Sequence, residues 1–212
     1  MGWWERTVVP RIVDAACGQH RLDRWRAAVC ADLSGRVLEI GFGSGLNLPH
    51  LPAAVSGLDA VEPSDLAWMR SAGRRAAAGA VEIRRIGLDG QRIAGADATY
   101  DGVLITFALC TIPDPALAAR EARRLVRPGG VVRVLEHGRA PDPGVLTWQR
   151  RLEPLQRRVA GGCHLTRDPV ALLGGAGLVV DAVEAAYAVP GPGRPLSYLT
   201  AVRAHRGTDP PA

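Results

Sequence analysis

The chain has no lysine: all 26 of its Lys+Arg positions are arginine. The arginines are spread along the whole sequence, and the formal net charge is only +5. No basic run alternates with aromatic residues, so a nucleic-acid footprint is not indicated and the charge reads as a solvated basic surface. Aromatic residues are scarce, at 5%. The four cysteines, Cys17, Cys30, Cys110 and Cys163, never form a C-x-x-C pair. That spacing argues against a zinc ribbon and against a disulfide framework. No stretch approaches the roughly 20 apolar residues of a membrane span. The opening "MGWWERTVVPRIVDAACG" is broken by Arg6 and Arg11 before any apolar run reaches signal-peptide length. A cytoplasmic location is therefore expected. There are no internal repeats.

The 212 residues are 47% apolar and 22% charged, values of one globular domain able to bury a core. Residues 1–34 carry helical spacing in two segments separated by Gly18: Trp4, Val8, Ile12 and Ala16, then Leu22, Trp25, Ala28 and Val29. "RVLEIG" reads as a short buried strand leading into a glycine turn and a helix. "SGLDAVEP" is a second strand ending at Glu62, residues 64–79 a helix, "VEIRRIG" a third strand and "YDGVLITFAL" a fourth, apolar on both faces. In "PDPALAAREARRLVRPGG", Asp114 caps a helix, Pro115 starts it, and Pro128-Gly129-Gly130 stops it. "VVRVLEHG" is a fifth strand. Residues 144–160 and "PVALLGGAG" read as helices. "LVVDAVEAAYAV" and "LSYLTAVRA" are strands joined by the short "PGPGRP", so they pair antiparallel. The alternation predicts an α/β fold, a mostly parallel sheet with helices on both faces and an antiparallel hairpin at its end. The tail 207–212 is expected to be disordered.

The sharpest local signal is "VLEIGFGSGLNLPHL". Gly41, Gly43 and Gly45 follow the first strand, where an open parallel sheet binds its ligand. Glu62 follows by about 20 residues, the spacing at which a carboxylate accepts ribose hydroxyls. A nucleoside cofactor is implied. A dinucleotide fits poorly: the sixth position of G-x-G-x-x-G is Leu46, and Glu39 before the turn would repel a pyrophosphate. The same Glu39 suits a ligand carrying an ammonium and a sulfonium, as S-adenosylmethionine (SAM) does.

"VLEIGFGSG", "VEPSDLAWMR", "YDGVLITFALCTIPDP" and "RLVRPGGVVRVLEHG" resemble, in order, the motifs of class I SAM-dependent methyltransferases. "EHGRAPDPGVLTWQRRLEPLQRRVAGGCHLTRDP" is similar to a segment of the methyltransferase-like-seven group, which includes alkyl-thiol S-methyltransferases and bacterial relatives called phospholipid N-methyltransferases. The resemblance implies a Rossmann-like sheet of seven strands in a single domain over 1–206. Residues 1–34 would be lid helices and 138–176 a substrate-side helical insert. Gly41, Phe42, Gly43 and Gly45 would lie along the methionine part of SAM, with Glu39 anchoring the loop and Asn47 beside it. Glu62 would take the ribose, Pro63 would pack near the adenine, and Asp89, Gly90 and Gln91 would frame it. Thr106, Phe107 and Leu109 would border the sulfonium. The group's animal members begin with an apolar anchor that this sequence lacks, which argues against a lipid acceptor while leaving a peripheral membrane contact open.

On the acceptor side, the ends of strands four and five and the insert nominate Cys110, Glu136, His137, Trp148, Cys163 and His164, with Trp3 and Trp4 from the lid. His137 is the preferred base or orienting group, against a purely structural histidine. His164 is a second base candidate, against a turn-stabilising role for "GCHLTR". A metal held by Cys110, Cys163, His137 and His164 matches no zinc spacing, so none is expected. The reading is a methyltransferase acting on a small molecule, first a thiol, then an oxygen or nitrogen acceptor such as a secondary metabolite or phospholipid headgroup. S-adenosylhomocysteine (SAH) would be the product. A non-catalytic SAM-binding protein and an NAD-dependent oxidoreductase are the rival readings.

Overall fold

A computed structural model describes residues 2–207; part of the expected disordered tail, 208–212, lies outside them. Seven strands form one sheet: β1 (Gly35–Ile40), β2 (Val55–Val61), β3 (Glu82–Gly87), β4 (Tyr100–Thr106), β5 (Val126–His137), β6 (Leu178–Tyr187) and β7 (Tyr198–Arg206). Their order is β3-β2-β1-β4-β5-β7-β6. β1 to β5 pair parallel, and β7 runs antiparallel to both β5 and β6. The reversed strand is thus inserted between two others rather than hung on the edge, and the expected hairpin is present.

Helices α1 (Trp3–Thr7), α2 (Val9–Cys17), α3 (Asp23–Cys30), α4 (Asp65–Arg70), α5 (Ala72–Ala77), α6 (Pro115–Leu125), α7 (Pro143–Val159) and α8 (Pro169–Gly175) complete the chain. Alternate residues along the central strands fill two cores, as the two-residue period of a strand requires. Leu38, Ile40, Val103, Ile105, Val132 and Val134 pack with Ala118, Ala119, Ala122 and Leu125 of α6 and Leu173 of α8. Val37, Leu104 and Leu135 pack on the other face with Leu22, Trp25 and Val29 of the α3 region. Both faces being covered explains why β4 reads as an unbroken apolar run.

Four local expectations change. After the glycine turn there is no full helix, only turns and one 3₁₀ turn at Leu48–His50. Pro49 and Pro52 remove two donors and disfavour helical geometry at the residues before them. The helix expected at 64–79 is split at Ser71, whose Oγ bonds the Trp68 carbonyl at 2.7 Å and closes the first piece. The first N-terminal segment breaks between α1 and α2, where Pro10 has no N–H to continue the helix. The helix before Pro128 ends at Leu125, and β5 begins at Val126, its register to β4 jumping across the Pro-Gly-Gly bend.

Candidate active site

Past Ile40 the chain leaves the sheet through Gly41, Gly43 and Gly45, all with positive φ. At Gly41 (φ 80°) a Cβ would stand 2.4 Å from the Cβ of Ala108, so the turn can close on the segment after β4 only without a side chain. At Gly43 (φ 60°) a Cβ would meet nothing within 4 Å. Main chain is bared there to open space at the strand ends. The Gly43 N–H donates to Oε2 of Glu62 at 2.6 Å, and the Ser64 N–H donates to its Oε1 at 2.7 Å. Glu62 therefore ties the end of β2 to the turn. Each of its oxygens keeps a second lone pair. Burial raises its pKa, against the pull of the two N–H donors.

Glu39, at the end of β1, is fully buried. Its Oε1 accepts from Asn47 Nδ2 at 2.7 Å, while Oε2 has no partner among the described residues. Burial pushes its pKa up to about 8. Asn47 also donates to Thr106 Oγ1 at 2.9 Å and accepts from Arg26 Nη1 at 2.6 Å. Arg26, buried on α3, further donates to the Cys17 carbonyl at 3.0 Å. Arg26 is not among the residues expected from the sequence, although a charge on the apolar stripe of Leu22, Trp25 and Val29 is a visible signal. Asp14 is not among them either, and it carries no such mark. From α2, Asp14 accepts from the Ser44 hydroxyl inside the turn and from Arg70 Nε at 3.0 Å. The N-terminal helices are thereby pinned over the glycine turn.

A second group forms at the ends of β4 and β5. Phe107 takes a left-handed backbone (φ 53°), unusual for a non-glycine residue. The loop it opens is held by Glu136: Oε1 accepts the N–H of Ala108 and of Leu109, both at 2.7 Å, and Oε2 accepts that of Cys110 at 3.2 Å. Burial raises the Glu136 pKa to about 7. Glu136 is thus engaged as a loop anchor. The His137 ring lies 5.2 Å from that of Phe107, tilted by 54°, and its Nδ1 lies 3.6 Å from Cys163 Sγ. Burial lowers the His137 pKa, but its partner Cys163 and Glu136 outweigh that and leave it raised. Cys110 and His137 lower the Cys163 pKa against burial, whereas Cys110, donating to Cys163 and itself buried, is pushed well above the ordinary thiol value.

The chain from the core of β1 to that of β5 matches the family model described as a methyltransferase domain, over residues 38–134. The rat (Rattus norvegicus) thiol S-methyltransferase TMT1B is 39% identical over 74 residues, 34% of this chain and 30% of that protein. A phosphatidylethanolamine N-methyltransferase of Cereibacter sphaeroides is 35% identical over 115 residues, 53% of this chain and 55% of its own length. The chain thus spans about a third to a half of these relatives. A SAM-dependent methyltransferase structure from Thermotoga maritima superposes with a TM-score of 0.70 at 19% identity, covering 96% of this chain and 98% of that one. Its fold is the Rossmann-like methyltransferase fold seen here.

Within and beside this domain, the candidate residues fall into separate places. Glu39, Gly41, Gly43, Asn47, Glu62 and Thr106 belong to the turn and its polar network. The Phe42 ring is buried against Trp68, 5.3 Å away, leaving only its main chain toward the turn's open side. Gly45 packs against Leu48, Phe42 and Ser71, and Pro63 is exposed. Asp89 is exposed and accepts from the N–H and the side-chain amide of Gln91, both at 2.9 Å. Gly90 is buried against Ile40 and Ile112. Leu109 is buried, with its N–H on Glu136. Phe107, Cys110, His137 and Cys163 meet, but His164 turns away: its Nδ1 lies 3.1 Å from Glu153, which also accepts from the Thr166 N–H and hydroxyl. Trp3, Trp4 and Trp148 are exposed. Trp148 borders a cavity of about 810 Å³ with Asp142, Val145, Leu152 and Arg194, away from the glycine turn.

No helix among the described residues is long and apolar enough to cross a membrane.

Proposed function

We propose that the protein is a cytoplasmic SAM-dependent methyltransferase acting on a small molecule, with a thiol as the first candidate acceptor. One observation carries the cofactor: a buried Glu39 oxygen without a partner, next to a Gly43 main chain open to a ligand. An unpaired buried carboxylate is costly, and a cationic ammonium or sulfonium group would satisfy it. A cation beside Glu39 would ionise it despite its burial, whereas a pyrophosphate would find only Glu62 and a buried acid in place of a positive partner. SAM, when bound, supplies a methyl group on a positively charged sulfur. Glu62 would accept the ribose hydroxyls with its remaining lone pairs. Asp89, Gly90 and Gln91 would frame the adenine, and Thr106 and Phe107 the sulfonium.

Methyl transfer depends chiefly on holding donor and acceptor in line. A thiol of pKa about 8.5 needs little help to ionise near neutrality, unlike an alcohol. His137, beside Phe107, is the group assigned to orient the acceptor or take its proton. The helices α1 and α2 act as a lid, tied down through Asp14. The name of the rat relative favours sulfur; that of the Cereibacter relative keeps nitrogen methylation of a phospholipid headgroup as the second reading.

Calorimetry on ligand-free protein should show binding of SAM and of SAH, with NADH as the negative control. Incubation with thiols, phenols, amines and phosphatidylethanolamine vesicles should yield SAH only with the true acceptor class. Protein that binds neither SAM nor SAH ends this reading. Binding without turnover on any acceptor would leave a SAM-binding protein in its place.

A further inference from the structure

Cys110, His137 and Cys163 come from three separate elements: the loop after β4, the end of β5 and the turn after α7. Their Sγ, nitrogen and Sγ donors all lie within 4.8 Å of one another. Both cysteines are buried in a small apolar shell with Leu165, Leu152 and Ala160. The convergence is rigidly built. Gly161 and Gly162 take positive φ to bend the chain, and the His164 N–H bonds the Cys110 carbonyl at 2.8 Å, locking the two cysteine backbones together. Outer partners are present as well: the Glu136 carboxylate bonds the Cys110 N–H, and Gln156 reaches Cys163.

We propose that Cys110, His137 and Cys163 form a binding site for a soft divalent cation, zinc first. A tetrahedral zinc ion about 2.3 Å from sulfur and about 2.05 Å from nitrogen sets the S···N edge at about 3.6 Å. The Cys163 Sγ to His137 Nδ1 separation is 3.6 Å. Two thiolates and an imidazole are the donors that zinc selects, and the engaged second layer is what orients such ligands. Binding requires no redox step: the two thiol protons leave to solvent as the sulfurs coordinate, and His137 binds through Nδ1 as neutral imidazole. With Nδ1 on the metal and the proton on Nε2, His137 then orients the acceptor and does not take its proton. Three protein donors leave a fourth position for water or a sulfur ligand, the pattern of an open rather than a closed zinc site. If the acceptor is a thiol, that position would hold it as thiolate; this consequence rests on the function proposed above, whereas the metal site does not.

The test uses the full chain, reduced, stripped with a chelator and titrated with Co(II). The expected result is one equivalent bound, with a near-ultraviolet thiolate charge-transfer band and visible bands of tetrahedral intensity that Zn(II) abolishes. Cys110→Ser and Cys163→Ser should each cut the charge-transfer band to about half or less, while Cys17→Ser and Cys30→Ser keep it in full. Because a core cysteine variant can misfold, wild-type protein is also alkylated with iodoacetamide. Because both thiols are buried, alkylation is followed in mild denaturant that lets them open: bound metal should slow it at Cys110 and Cys163 and leave Cys17 unchanged, and equal rates at Cys110 and Cys163 with and without metal overturn the site. Folded, reduced wild type that takes up no cobalt overturns the proposal, as does a cobalt spectrum left at full intensity by Cys163→Ser. A Cys110–Cys163 disulfide formed in air, with no cobalt binding after reduction, overturns it in favour of a redox pair. None of these readouts involves SAM, so failure here leaves the methyltransferase reading standing, and the reverse.

Discussion

The glycine turn and the cysteine cluster stand at neighbouring strand ends, yet they are assembled in opposite ways. At the turn, Glu39, Gly41, Gly43, Asn47 and Glu62 come from one strand-turn-strand passage, and main-chain N–H groups do much of the holding. At the cluster, Cys110, His137 and Cys163 meet only because β4, β5 and the turn after α7 are packed together. A site written locally depends on backbone geometry that no side-chain exchange can restore. A site written by tertiary packing depends on the loop anchors behind it.

The comparison is broken most directly at Gly41. Gly41→Ala should destabilise the protein by roughly 3 kcal/mol, from left-handed strain plus the clash with Ala108, and should abolish SAM binding. Chemical denaturation and calorimetry measure the two; an unchanged midpoint would show that the turn relaxes freely. At the other end, His137→Ala should lower turnover by about 100-fold while SAM affinity changes little. Equal losses in both would merge the two regions into one. Glu136→Ala should cost about 2 kcal/mol by orphaning the N–H groups of Ala108, Leu109 and Cys110, read from the same denaturation curves.

A pH profile sharpens the contrast further. Glu39 rises from 4.5 to about 8 and Glu136 to about 7 in the folded protein. The folded state therefore holds these protons more tightly than the unfolded chain. Their contribution to stability is full below pH about 4.5 and is lost as pH climbs through about 7 to about 8. Ligand-free Glu39→Gln should show a flatter decline over that window and bind SAM more weakly. A decline identical to wild type would mean Glu39 ionises normally. The smallest effect belongs to His164→Ala. Its ring partners Glu153, whose side chain is 18% exposed but keeps the N–H and hydroxyl of Thr166 when the ring is removed, so the loss should stay at about 1 kcal/mol with only a few-fold change in rate. A loss matching that of His137→Ala would return His164 to the chemistry.

Much of the architecture was legible because strands and helices here announce themselves through short-range chemistry. Pro115 after Asp114 marks a helix start that the structure keeps, with the Asp114 carboxylate accepting from Ala116 and Leu117 at 3.0 and 3.1 Å. The misread pieces share a cause. Pro49, Pro52, Pro10 and Ser71 compete locally with a helical pattern whose apolar spacing looked sufficient. Asp14 was invisible because its partners Ser44 and Arg70 lie on other elements.

By itself, then, the sequence determined the alternating sheet, the glycine turn and the carboxylate on the following strand, because each rests on period, φ and spacing within a few tens of residues. Tertiary structure alone decided that β7 inserts between β5 and β6, that Arg26 enters the Glu39 network, and that two distant cysteines share a histidine while His164 faces Glu153. These are contacts between segments far apart along the chain, and which side chains face one another there is set by packing, on which neither composition nor local pattern bears.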